Sequence, residues 1–435
     1  MKLKPLFRFQ SINQRRAPLF ILITLCQIVL FYSFRDQISK MGEIGLVYDP
    51  NSLAMLPLGI GLTSCFAWIL PIRIDRFLPL TIWIIFLILV MPGCVMIYSL
   101  GFERVLPDFI LCIALPIAAM NLPWTRGHYP KPGSVTAPYP HAIWILAIPT
   151  IMIGAYLAWA NVNNLSLGFL NVYTRRLEQR GLAHTLQGYL TANYFGAVLV
   201  LTIGYGLAYR YNLLRAISIL GFLLIFCIDG SKSALIIPVI MILAHLATKM
   251  KVLTPVYLLL YTFFFLMTSY GLNDYNVNFY GVRRVFIDIQ ATNCQYFEYF
   301  SKYGFVFGND IFILNFLYGT DPIPSAGLVI GMEYFGNIDS NANSNFLSVG
   351  FSQGGVFGAW LIFIIGCVSL KLYDIQLQKI PLELGQLIAI PIALRFCEQG
   401  LHTMMLSGGL LALYILITAV TTQRRRVHLI SSMTT

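Results

Sequence analysis

The sequence predicts an all-α polytopic membrane protein, and three observations carry that reading. The composition is 57% hydrophobic and only 11% charged, with a mean hydropathy of +0.73. Apolar stretches close to the roughly 20 residues needed to cross a bilayer recur along the whole chain. Basic residues gather in the short segments between alternate stretches, as the positive-inside rule asks of a cytoplasmic face. Spans consume most of the 435 residues, so one integral-membrane domain over 1–435 is expected.

The basic start, Met1 to Arg16, leads into the apolar run 18–34, which lacks a small-residue cleavage site and reads as a retained first span. Further spans are expected at 53–72, 78–100, 106–122, 141–160, 188–208, 216–228, 234–248, 252–270, 356–370, 385–402 and 405–421, about twelve in all. The seventh and eighth are short, which suits half-helices or a tight pair. A cytoplasmic N-terminus puts Arg15, Arg16, Arg73, Arg76, Arg126, Lys131, Arg210, Arg215, Lys249, Lys251, Lys371, Lys379 and Arg424 to Arg426 on the inner face, and the C-terminus with them. The net charge of +11 then faces anionic membrane lipid, and nucleic acid is not an expected partner. The Pro-rich run 123–140 reads as an inner linker. The eight cysteines show neither CxxC nor Cys/His spacing, so no disulfide framework, metal site or cofactor is expected.

Three outer segments remain: 35–52, 161–187 and 271–355. The last is too long for a mere connector. Within it, Val285, Ile289, Tyr296 and Phe300 recur at helical spacing with Asp288, Gln295 and Lys302 on another face. An amphipathic helix over 285–303 is therefore expected, ending at Gly304. A second, interfacial helix is expected from Asn309 to Tyr318.

Arg175, Arg176, Arg180, Lys232, Arg283 and Arg284 all fall on this outer side, against the charge rule, and suggest an anionic ligand there. Arg283 and Arg284 are expected in the first turn of their helix, where the dipole opposes cations unless an anion binds. Anchoring to lipid headgroups explains either cluster as well. Tyr173, next to the first cluster, suits stacking on a sugar or simple interfacial placement. Lys232 sits in the tight turn Asp229-Gly230-Ser231-Lys232-Ser233, where pairing with Asp229 and ligand contact are both open. Asn341, Asn343 and Asn345 offer amides to sugar hydroxyls, or caps to a helix. Gly350, Gly354, Gly355 and Gly358 then permit close helix contact. Arg395 and Glu398 share a helix face inside a span, either as a self-neutralising pair or facing a polar cavity with His402 at its mouth. Glu178, Asp288, Glu298, Asp339 and His402 are candidates for a general base.

Together these residues resemble the bacterial O-antigen and capsular polysaccharide repeat-unit polymerases of the Wzy type. The likeness rests on about twelve spans with a small and a large periplasmic loop carrying arginines. Its local motifs are Tyr-x-x-Arg (Tyr173, Arg176), Gly-Ser-Lys (Gly230 to Lys232), Arg-x-Phe (Arg284, Phe286) and Asn-Ala-Asn before a glycine-rich span (Asn341, Asn343, Gly355, Gly358). Lys232 departs from the more familiar Arg, and the doubled arginines blur which partner matters. The resemblance implies a GT-C-like glycosyltransferase in the bacterial inner membrane that polymerises undecaprenyl-diphosphate-linked oligosaccharides at the periplasmic face. By that carry-over Arg176 and Arg284 would act on diphosphate or sugar, with Lys232 and Asn343 supporting; Arg175, Arg283, Tyr173, Asn341, Arg395 and His402 are further substrate-binding candidates read from the residues themselves. A chain-length regulator and a flippase are the implied protein partners, with lipopolysaccharide or capsule as the product. An O-antigen ligase that transfers glycan to lipid A core is the second reading. It would favour a His between Gly271 and Gly355, where there is none. A transporter, with deep charges and an inverted repeat, is the third.

Overall fold

The structure is a computed structural model describing residues 6–41, 46–121, 140–166, 185–310, 324–336, 340–342 and 344–433; for 6–15, 140 and 422–433 it describes the helix backbone alone. The described residues are helical throughout, without strands. In chain order the helices are α1 (Leu6–Asp36), α2 (Ser52–Ile69), α3 (Phe77–Ser99), α4 (106–119), α5 (Pro140–Ala160), α6 (Leu186–Ala208), α7 (Asn212–Asp229), α8 (Lys232–Lys249) and α9 (Pro255–Leu272). They continue with α10 (275–303), α11 (Ala326–Phe335), α12 (346–353), α13 (356–377), α14 (Leu382–Glu398), α15 (Leu401–Leu406) and α16 (Leu410–Met433).

Ten helices among the described residues are long and apolar enough to cross a membrane, against twelve expected. Two expected spans account for the difference: 106–122 is a 14-residue stretch of helix, and 385–402 breaks after Glu398. Conversely, α7 and α8 are complete 18-residue helices and not half-helices. The multi-pass membrane character is therefore plain.

Side-chain contacts sort the helix ends into two sets. At one end, called proximal, Arg16 donates to the carbonyls of Ala67, Trp68 and Leu70, Gln386 to Ile74, and Arg215 to Gly206. At the other, distal end, Gln37 donates to the Tyr270 carbonyl, Asn278 to Gln37, and Ser166 N–H to the Cys227 carbonyl. Successive helices α1 to α9 thus alternate in direction, as threading by charge requires. α1 packs along α9, α14 along α3, and α6 along α7.

The stretch expected to be a large outer loop is not all loop. α10 starts at the distal end, capped by Asp274 on the N–H groups of Asn276 and Val277, and descends until Gln290 donates to the Ile88 carbonyl in the middle of α3. Gly304, at φ +96°, ends it as expected. The expected two-faced character is corrected: Val285 is exposed, whereas Gln290, Thr292, Asn293 and Gln295 are buried. The polar residues turn inward because they have partners there. Asn293 Oδ1 accepts from Ser344 Oγ (2.7 Å), Asn345 Nδ2 (2.6 Å) and Ser348 Oγ (3.1 Å). Asn345 also caps α12, accepting from the N–H groups of Leu347 and Ser348. This sealed network ties α10 to the hairpin that follows.

That hairpin depends on glycine. The chain leaves the helix at Gly354 and Gly355, the latter at φ +62°, ψ −146°, a conformation open to Gly alone. α12 then folds back on α13: a Cβ added at Gly350 would lie 3.1 Å from Ala359 Cα, and one at Gly366 3.2 Å from the Phe346 ring. Close contact at Gly350 is what the sequence predicts; the contact at Gly366 and the reversal of direction are not.

Candidate functional site

Two polar groupings emerge, built from different elements. The first lies at the distal end, where the α7–α8 turn meets the start of α10. Gly230 takes a left-handed conformation, and Asp229 Oδ1 accepts from the Ser231 N–H at 2.6 Å, which fixes the turn that leads into Lys232, the first residue of α8. Lys232 Nζ rests 3.7 Å from the Tyr280 ring centroid. One turn along α10, the Arg283 and Arg284 guanidinium carbons lie 4.4 and 5.8 Å from the Phe279 ring. Asp288 binds both arginines, Arg283 Nε at 2.9 Å and Arg284 at 3.2 Å. Arg283 is buried, Lys232 half-buried and Arg284 exposed. Arg283 and Arg284 share Asp288, and the three cations lie against two ring faces, an arrangement held by charge and by the aromatic quadrupole.

The expected location of the arginines in a first helical turn is corrected. α10 begins at Tyr275, and a wide π-helical stretch, Asn278–Ile287, carries both arginines in mid-helix, where no helix N-terminus adds its N–H groups. The wider turn brings Arg283, Arg284 and Asp288 round to one side.

The second grouping is deep in the bundle. Arg395 on α14 is 8% exposed and makes neither a hydrogen bond nor an ion pair among the described residues. Its described contacts are the Phe195 ring, 5.6 Å from the guanidinium carbon, and the backbone at Gly196. Glu398, one turn on, acts electrostatically on Arg395, although no direct ion-pair contact joins them, so the self-neutralising reading stays open. α14 stops at Gln399, and the chain breaks again at Ser407 to Gly409 before α16. Irregular backbone at this depth of a membrane bundle is tolerated where it is packed in protein or lines a polar cavity. His402, half-buried on α15, lies within electrostatic reach of Asp310. Asp310 in turn accepts from Gln353 and from the Ala326 N–H.

Other predicted residues fall elsewhere. Asn341 packs against Gly327 of α11 and makes no hydrogen bond to the distal cations among the described residues. Tyr173, Arg175, Arg176, Glu178, Arg180, Asp339 and Asn343 lie outside the described residues, as does most of the expected helix Asn309–Tyr318. Of the candidate bases, Asp288 is engaged by arginines and Glu298 accepts from the Tyr334 hydroxyl at 2.7 Å. Sequence reasoning missed Phe279, Tyr280, Phe195, Asn293, Gln353 and Gln399. Only the rings carried a usable signal: Phe279 and Tyr280 precede Arg283 and Arg284 by four residues each, one helical turn. No protein-family profile, curated protein or solved structure matches this chain.

Proposed function

We propose that the chain is a membrane-embedded glycosyltransferase that polymerises undecaprenyl-diphosphate-linked oligosaccharide repeat units at the periplasmic face of the bacterial inner membrane. One observation carries this reading: Lys232 and the Arg283–Arg284 pair, distant from it in sequence, converge at one end of the bundle on the adjacent rings of Tyr280 and Phe279. A surplus of cations at the membrane surface suits a lipid diphosphate, whose charge grows as the sugar departs. In this reading the distal end is periplasmic, both termini are cytoplasmic, and the bundle serves as a GT-C-like scaffold.

The reaction is a substitution at the anomeric carbon of the growing glycan. A hydroxyl of the new lipid-linked unit attacks, its proton passes to a base, and the bond to the carrier diphosphate breaks. Guanidinium and ammonium groups take up the charge of the leaving undecaprenyl diphosphate. Arg284, exposed on the cluster, meets the phosphate, and Asp288 holds Arg283 and Arg284 in register. Arg176, outside the described residues, is assigned to the same role by the resemblance alone.

The ligase reading gains one specific observation. Although no His occurs between Gly271 and Gly355, the fold brings His402 within electrostatic reach of Asp310, which belongs to that segment. A gel of surface polysaccharide from a strain lacking the chain separates the two. Loss of the length ladder to a single repeat supports the polymerase; polymer built on the carrier but missing from lipid A core supports the ligase. An unaltered surface glycan overturns both.

A further inference from the structure

We propose that the last two turns of α10 and the helix α11 form a surface platform that holds a neutral oligosaccharide. The proposal rests on the polymerase reading for the source of the glycan, but the platform uses none of the distal cations. Its place in the bundle comes first. Beyond Gly304 the chain returns to the glycine hairpin: Val306 N–H donates to the Ser352 carbonyl at 2.9 Å, and Gly308 N–H to Gln353 Oε1 at 2.7 Å. From that hairpin α13 rises roughly 33 Å to meet α14, whose Gln386 is tied to the proximal end. The hairpin is therefore distal. The later part of α10 also packs against 103–105, just past the distal end of α3.

The surface there is open. Tyr303 is 57% exposed, and Glu298, Lys302 and Glu333 are exposed around it. Tyr299 and Tyr303, one helical turn apart, bring their ring centroids to 4.7 Å at an interplanar angle of 42°. Tyr334 of α11 donates its hydroxyl to Glu298 Oε2 at 2.7 Å, which ties a third ring to α10. Lys302 Nζ lies 4.7 Å from the Tyr303 ring centroid. Glu333 acts electrostatically on Tyr299, Lys302 and Tyr334, so the two helices present these six side chains as one surface.

The chemistry of that surface selects its occupant. Tyrosines at a membrane surface also anchor to lipid headgroups, and basic neighbours strengthen such an anchor. Here two carboxylates accompany a single ammonium, which opposes anionic lipid and acidic sugars alike. A wholly apolar partner would strip water from the carboxylates without replacing it. A neutral sugar satisfies both parts: its C–H face lies on a tyrosine ring, and its hydroxyls donate to carboxylate and phenolic oxygens. Tyr299 stands about four helical turns beyond Arg284, up to roughly 20 Å along α10. The platform therefore engages sugars away from the reacting end of the chain.

The test is equilibrium binding of three neutral hexasaccharides, maltohexaose, cellohexaose and N-acetylated chitohexaose, to the purified full chain in nanodiscs. At least one is expected to bind, with hexagalacturonate weaker by about tenfold or more. Tyr303→Ala is expected to weaken binding about tenfold, whereas Tyr303→Trp, which keeps a ring, binds like the parent chain. Arg284→Ala is expected to leave hexasaccharide binding unchanged. Failure of all three hexasaccharides to bind, as for a mere lipid anchor, would overturn the proposal. So would equal binding by Tyr303→Ala, equal binding of hexagalacturonate, or a loss in Arg284→Ala as large as in Tyr303→Ala. Intact hexasaccharide binding beside an unaltered surface glycan in the deletion strain would instead overturn the polymerase reading alone.

Discussion

The two ends of the bundle put arginine to different uses. At the proximal end, Arg16 reaches the carbonyls of Ala67, Trp68 and Leu70, and Arg215 those of Gly206 and Leu207. These carbonyls lie at or just past the ends of α2 and α6, so the cations there add to the turn hydrogen bonds of Leu70 and Tyr211 and complement the helix dipoles. At the distal end, Arg283 and Arg284 meet a carboxylate and a ring face, with Lys232 on the neighbouring ring. The same residue type is architecture at one end and a concentration of charge at the other. The difference teaches that a positive-inside count locates loops, whereas the partners of each cation tell what it is for.

Substitution at both ends sharpens the contrast. The largest effect is expected from Arg284→Ala and from Arg176→Ala: the protein still inserts, and surface glycan collapses to a single repeat on a gel. Arg215→Ala leaves the ladder intact, and a shortened ladder from that variant would erase the distinction. Next comes Asn293→Ala, which deprives Ser344, Asn345 and Ser348 of their shared acceptor. Unsatisfied buried donors cost about 1–3 kcal/mol each, so a loss of about 3 kcal/mol is expected, read as a lower melting temperature in detergent. Gly355→Ala, forced into φ +62°, is expected to cost about 1–3 kcal/mol by the same measurement. The smallest effect belongs to Tyr280→Leu. It removes a cation–π contact worth about 0.5–2 kcal/mol from Lys232 and should weaken lipid-diphosphate binding only a few-fold while the ladder persists.

Most spans were legible because lipid imposes a long apolar run on any crossing helix, as in α1, α3 and α13. α14 was harder to bound: its pattern continues through Glu398, and only tertiary packing sets the break at Gln399. The periodicity of α10 predicts an amphipathic helix with Asp288, Gln295 and Lys302 on its polar face, yet Gln295 is buried, as are Gln290 and Asn293. Their partners, the Ile88 carbonyl and Ser344 to Ser348, are remote in sequence, so burial could not be inferred from local periodicity. The convergence of Lys232 with Arg283 and Arg284 was anticipated as a shared face; the rings that organise it were not. The π-helical stretch had no sequence signature at all, and both arginines stand in mid-helix because α10 already begins at Tyr275.

The central claim is that the distal cations grip a lipid-borne diphosphate. Titration of undecaprenyl diphosphate onto the purified chain in nanodiscs tests it most directly. Arg283→Ala and Arg284→Ala are each expected to weaken binding by about tenfold or more, with Arg215→Ala equal to the parent chain. Equal affinity in all four proteins, or a loss in Arg215→Ala as large as in the distal variants, would contradict the account.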